Sequence, residues 1–194
     1  NEGFIVMGQA TVLTDAEHKK VLKAIAVNSH AERNRAAFLL STLAGMRVGE
    51  ISKLKVGDVM NADGSIHNEI KLTKHQTKGS RARTVFLSEK LRRELASYVK
   101  SLPRTDADFP LIYSQRGYRH FSNVSLCITF SNIYKSANIR NSSHAGRRSF
   151  ATKLNANGVS MKVIQHALGH SHISTTALYC EISDEQIRKA VALV

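Results

Sequence analysis

His144 and Arg147 stand three residues apart, and His170 and Tyr179 stand nine apart. The segment that holds them reads HAGRRSF, then a helical run, then LGHSHISTTALY. These residue types suit cleavage of a phosphodiester without a metal ion. That reaction needs a nucleophile, cations on the non-bridging oxygens and a proton for the leaving oxygen. The planar fork of arginine donates two bonds to phosphate and stays charged. Histidine adds hydrogen bonds or moves protons. Attack by tyrosine stores the bond energy in a phosphotyrosine, so rejoining needs no ATP. Arg47 in AGMRVGE and Lys78 in TKGS complete the set upstream, the lysine as a proton donor to a departing 5′-oxygen.

Taken singly, each residue has a plainer use. Arg47 and Lys78 are cations in a basic chain, and such cations are usually solvated. Glu50 follows Arg47 by three residues and can pair with it on a helix face. Tyrosine at helical spacing commonly packs, and its phenol, with an ordinary pKa of about 10, needs cations or a base nearby to attack. His166, His170 and His172 raise a zinc site, but no carboxylate or cysteine completes a ligand set at the usual spacing. No metal or cofactor is therefore expected. The order and spacing of the whole set carry the inference.

Positioning these groups falls to a mostly helical chain. Thr14 or Asp15 caps a helix that carries Val21, Leu22 and Ile25. A second helix is predicted over about 32–43, stopped by Gly45, and a short one over 47–54. Alternation at Ile66, Asn68, Ile70 and Leu72, and again at Val85 and Leu87, predicts strands, with 77–80 as a hairpin tip and 61–64 as a turn. Helices are further predicted over 88–101, 122–138, 144–157, 160–168, 173–180 and 184–193. Gly158 and Gly169 are natural stops. The expected fold class is α+β and mostly α-helical, with a small antiparallel β-sheet inside one helical domain spanning 1–194.

The bulk composition agrees with a nucleic-acid partner. The 194 residues carry a formal net charge of +13, with a pI near 10.0, which points to a polyanion, with DNA or RNA ahead of an anionic membrane surface. Hydrophobic residues make up 42%, enough for a full core. No run is long enough to span a bilayer, and no signal peptide is present. Cys127 and Cys180 form no disulfide or metal pattern, which suggests a reduced, cytoplasmic setting. The sequence starts at Asn1 rather than Met, so a preceding N-terminal part is expected.

The chain resembles the catalytic domain of tyrosine recombinases, the phage-type integrase family. The resemblance rests on AGMRVGEISKL around Arg47, TKGSRARTVFLS around Lys78, HAGRRSFATKL around His144 and Arg147, and VIQHALGHSHISTTALYCEI ending past Tyr179. It covers about 13–182. It implies a site-specific DNA recombinase with the DNA breaking-rejoining fold, acting through a covalent 3′-phosphotyrosine. Arg47 and Arg147 would clamp the scissile phosphate, Lys78 would act as general acid, and His144 as acid or base near the tyrosine. His170 would bond the phosphate, Tyr179 would attack, and Glu50 would support the site from behind. Arg81, Arg83 and Arg148 are expected to contact DNA.

The resemblance also implies partners: double-stranded DNA, other protomers in a tetrameric synaptic complex, and accessory DNA-bending proteins. It further implies an N-terminal core-binding domain outside this chain, and a tail helix over 183–194 that docks on a neighbouring protomer or packs in cis through Ile187, Val191 and Leu193. The sequence departs from the family at Gly146, where leucine is common, and at Arg148, where histidine or an aromatic residue is common. A nicking-closing enzyme of the type IB topoisomerase kind and a non-catalytic DNA-binding regulator are the alternatives.

Overall fold

Thr14, Ser88, Ser122 and Ser160 each begin a helix by accepting a backbone N–H from the first turn, which satisfies donors that the helix cannot. At Thr14 the cap is reciprocal, because Glu17 reaches back to the Thr14 N–H at 2.8 Å. Gly45 and Gly169 close two helices in the left-handed conformation, with φ of 61° and 63°. The computed structural model describes residues 11–79, 81–180 and 184–192. Its helices are α1 Asp15–Ala26, α2 Ala31–Ala44, α3 Val48–Ile51, α4 Glu89–Lys100, α5 Asn123–Ser136, α6 Ala145–Ala156, α7 Met161–Leu168, α8 Ile173–Ala177 and α9 Asp184–Val191.

The antiparallel pair is β1 Glu69–Leu72 and β2 Arg83–Phe86, in register Glu69 with Phe86 and Leu72 with Arg83. The expected α+β fold with a small sheet is therefore observed. The first strand begins later than the alternation suggested, and the second both begins and ends earlier. Ile66 instead bridges Met60 across the 61–64 turn, and Leu87 lies just past β2 with its N–H on Asn68 O. The helices expected over 47–54 and 173–180 stop at Ile51 and Ala177. Leu193, the last apolar residue assigned to the tail helix, lies outside the described residues, as does Ser80 of the hairpin tip.

Helix α2 runs through the centre. Phe38, Leu39 and Leu40 are consecutive and fully buried, so the helix is covered on every side. The main core gathers α1 to α5, the sheet and the start of α6 around it. A separate, smaller cluster of Ala151, Ile164, Leu168 and Cys180 joins α6, α7 and the residues after α8. Helix α6 packs its Gly146 backbone against side chains of α2. A Cβ at Gly146 would sit 2.5 Å from Ser41 Oγ and 3.0 Å from Thr42 Cγ2. That contact gives a physical reason for glycine where the family commonly has leucine.

Candidate active site

Arg47 is the residue that caps α3, just after the left-handed turn at Gly45. Glu50, one turn on, accepts the Arg47 backbone N–H at 2.8 Å and its Nη1 at 3.0 Å. This pairing fixes the guanidinium direction while leaving its side chain 25% exposed. Glu50 is buried and also accepts Arg83 Nε at 3.1 Å and Nη2 at 2.6 Å. Burial pushes the Glu50 carboxyl up, but the Arg83 bonds and charge, with the Arg47 amide, hold it below the usual carboxylate range.

Arg83 was expected on DNA, and the structure corrects this. It lies on β2 on the same face as buried Val85, so its side chain turns inward and is 9% exposed. Besides Glu50, it donates from Nη1 to Ala167 O at 2.8 Å. Gly169 is required beside it, because a Cβ there would lie 2.6 Å from Arg83 Cδ.

Arg147 emerges from the first turn of α6 and is also buried. Its Nη1 donates to Gly45 O and its Nη2 to Leu168 O. Burial, then the charges of Arg47 and Arg83, pull its pKa down to about 9, so it stays a cation at neutral pH. Arg47 Nη2 reaches Gly169 O at 3.5 Å. Three arginines from three elements thus converge on three successive carbonyls at the C-terminus of α7, the negative end of that helix.

That convergence places His170. The turn after α7 carries it against Thr176, whose buried Oγ1 lies 2.8 Å from His170 Nδ1. Burial, then the charges of Arg147, Arg47 and Arg83, lower its pKa to about 4. The ring is neutral at pH 7. Tyr179 stands beside it, with ring centroids 5.7 Å apart. Thr152 Oγ1 donates to Tyr179 O at 3.0 Å, tying the tyrosine backbone to α6. Arg148 Cζ lies 5.4 Å from the centre of the tyrosine ring, and Arg148 Nη2 donates to Leu178 O at 3.1 Å.

His144 precedes α6 and is exposed. Burial of its ring, then Arg147, Lys78 and Arg47, lower its pKa. Lys78 is exposed on the turn between the strands. A pocket of about 380 Å³ takes in Arg47, Lys78, Cys127, His144 and Arg147. A groove of about 700 Å³ continues past Arg47 and Lys78 to Arg81 and His170. The two hollows adjoin at Arg47, Thr77 and Lys78, with His144 and Arg147 lining one and His170 the other, and with Tyr179 beside His170. Arg81 is exposed at its edge. Among the described residues, no three His, Cys, Asp or Glu side chains cluster as a metal site.

Sequence reasoning missed Thr176 and Thr152, since threonine carries no distinctive spacing signal. The inward turn of Arg83 did have a signal. Extending the alternation of Leu87 and Val85 back by two residues puts Arg83 on the buried face.

The phage integrase family profile matches residues 11–186. Tyrosine recombinase XerA of Thermococcus onnurineus is 33% identical over 180 residues, covering 92% of this chain and 60% of that protein. XerA of Pyrococcus furiosus is 29% identical over 182 residues, with the same coverage. The chain thus spans about three fifths of the length of these relatives. The crystal structure of XerA recombinase superposes with a TM-score of 0.73 at 26% identity, over 94% of this chain and 63% of that one. The Tn1549 transposon integrase, solved with circular intermediate DNA, shares the fold with a TM-score of 0.75 at 17% identity, over 96% of this chain and 67% of that one. With the cleft and these likenesses in hand, the chain belongs to the phage integrase family.

Proposed function

We propose that this chain is the cleaving and rejoining domain of a site-specific DNA recombinase or integrase, working through a covalent 3′-phosphotyrosine without metal or ATP. The observation that carries the reading is the pair of adjoining hollows lined by Arg47, Lys78, His144, Arg147 and His170, with the Tyr179 ring 5.7 Å from that of His170 and tilted to it. In this reading Arg47 and Arg147 bind the non-bridging oxygens of the scissile phosphate. Neutral His170 donates a hydrogen bond to the same group, and His144 accepts or returns the phenol proton. Tyr179 Oη forms the bond to phosphorus as the bond to the 5′-oxygen breaks, and Lys78 gives that oxygen a proton. Rejoining reverses each transfer.

Double-stranded DNA is the substrate, and strand exchange pairs protomers in a tetrameric synaptic complex, helped by DNA-bending proteins. The cytoplasm is the place of action; among the described residues no helix is long and apolar enough to cross a membrane. Helix α9 exposes Ile187 and Val191, while Gln186 Nε2 donates to Asn155 O at 2.7 Å. The tail is thus held to α6 with an apolar side left for a neighbouring protomer.

A duplex nicked beside the cleavage site tests the reading, because loss of the short product traps the covalent adduct. The chain is expected to form an adduct that survives denaturation, and Tyr179→Phe to form none. Absence of an adduct on every nicked duplex of a randomised pool, alongside ordinary duplex binding, would leave a regulator instead.

A further inference from the structure

On the other flank of α5, away from the catalytic pocket, lies a hollow of about 630 Å³ that the reaction does not use. Its walls come from the α1–α2 turn, the 114–116 turn and a polar stripe of α5 formed by Ser125, Thr129 and Asn132. No carboxylate lines it. At its floor is Arg33, only 6% exposed. Nε and Nη2 donate to Asn34 Oδ1 at 3.2 and 2.9 Å, and Nη1 donates to Tyr113 O at 3.2 Å. The Phe121 ring lies 5.0 Å from Cζ.

These acceptors are neutral, and among the described residues Arg33 has no ion-pair partner. The bonds use three of the five guanidinium N–H groups. The contrast with Arg83 is direct: Arg83 is equally enclosed but is neutralised by Glu50. A buried cation without a counter-charge is costly, and burial accordingly lowers the Arg33 pKa. Exposed Arg116 adds a second cation at the rim.

The position of the hollow names its anion. Asn123 and Cys127 of α5 face the catalytic pocket, while Ser125, Thr129 and Asn132 face the hollow. A helix with side chains is about 10–12 Å across, and a DNA major groove of about 12 Å has phosphates along both edges. We propose that the hollow is a second phosphate site, in which Arg33 and Arg116 hold a backbone phosphate of the same duplex whose scissile phosphate lies in the catalytic pocket, with α5 between them. This rests on the DNA-cleaving reading above.

The test measures affinity for a short mixed-sequence duplex over a range of salt, for the chain and for Arg33→Gln and Arg116→Ala. Each lost phosphate contact should lower the slope of log K against log salt by about 1. A duplex scanned with neutral methylphosphonates should show a sensitive position, away from the scissile phosphate, whose effect disappears in Arg33→Gln. A thermal melt checks folding. If Arg33→Gln fails to fold, Arg33→Lys, which keeps the charge and loses the fork, and Arg116→Ala carry the measurement. Unchanged slopes and an unchanged scan in folded variants that still form the Tyr179 adduct overturn the second site and leave the cleavage reading standing. Unchanged slopes with altered self-association point to an acidic protein surface and also overturn it. Failure of the unmodified chain to bind duplex removes the cleavage reading first.

Discussion

Arg147 and Tyr179 meet the same cleft from elements anchored in different ways. The Arg47–Glu50–Arg83 cluster and the root of Arg147 rest on α2, α3, β2 and the start of α6, all part of the main core. His170 and Tyr179 ride on α7, α8 and the following turn, whose own apolar support is Ala151, Ile164, Leu168 and Cys180. Beyond that apolar seam with α6, polar bonds join the arm to the rest: arginine donors on α7 carbonyls and Thr152 on Tyr179 O. The groups proposed to hold the phosphate are preorganised, and the group proposed to attack it sits on the part with less apolar burial. Local opening is cheapest where buried apolar contacts are fewest, so the Tyr179 turn can open before the clamp does, whereas opening that reached α7 would strip the three arginines of their carbonyl acceptors.

The largest expected effect comes from removing the anchor of the clamp. Glu50→Ala strands two enclosed guanidinium groups and should cost about 3–5 kcal/mol in urea unfolding. A loss below about 1 kcal/mol would mean that the clamp is no better rooted than the arm. Next, Arg147→Lys keeps the charge but loses the bidentate reach to Gly45 O and Leu168 O. Single-turnover cleavage should slow about a hundredfold to a thousandfold. Duplex affinity, set by many phosphates, should change by less than about fivefold. Parallel losses in both would place Arg147 in binding rather than in the clamp.

Acid should loosen the arm. The His170 pKa of about 4 lies below its unfolded value of about 6.5. Between those values the unfolded chain binds the extra proton, so stability is complete above about pH 6.5 and declines as pH falls toward 4, by at most about 1.4 kcal/mol per pH unit. His18, also lowered to about 4 by burial and then by Lys153 and Lys90, adds the same sign in the main core. Unfolding at two pH values should show a smaller difference in His170→Gln than in the unmodified chain. An equal difference would assign the acid sensitivity to His18 and the main core.

The smallest effect is the sharpest comparison. Ile51 and Ile164 are both fully buried, one in each cluster. Each Ile→Val change should cost about 0.5–1.5 kcal/mol. Hydrogen exchange should report Ile51→Val as a global loss, and Ile164→Val as faster exchange confined to α7 and α8. Global loss from both would erase the distinction between the two regions.

Much of this arrangement was legible in the sequence because it depends on local rules. The Thr14 or Asp15 cap located α1, helical spacing located α4, α5 and α7, glycines located the ends of α2, α6 and α7, and alternation located the hairpin. The six reactive residues were gathered by the chemistry they suit and by their resemblance to a family pattern, since their approach in space is a tertiary event. The inward turn of Arg83 needed the strand period to be read one step further. The enclosure of Arg33 could not be read at all, because its cover comes from Tyr113 and Phe121, some eighty residues along the chain.

The contact between Gly146 and Ser41 acts as a hard stop. With no side chain on Gly146, the α6 backbone rests directly on the Ser41 and Thr42 side chains of α2, and that contact sets the separation of Arg147 from the Gly45 turn, and hence from Arg47. Side-chain repacking elsewhere cannot shorten that span, and any residue larger than glycine lengthens it. In this chain the gauge of the clamp is therefore set at position 146, and a leucine there, as is common in the family, would require Ser41 and Thr42 to give way.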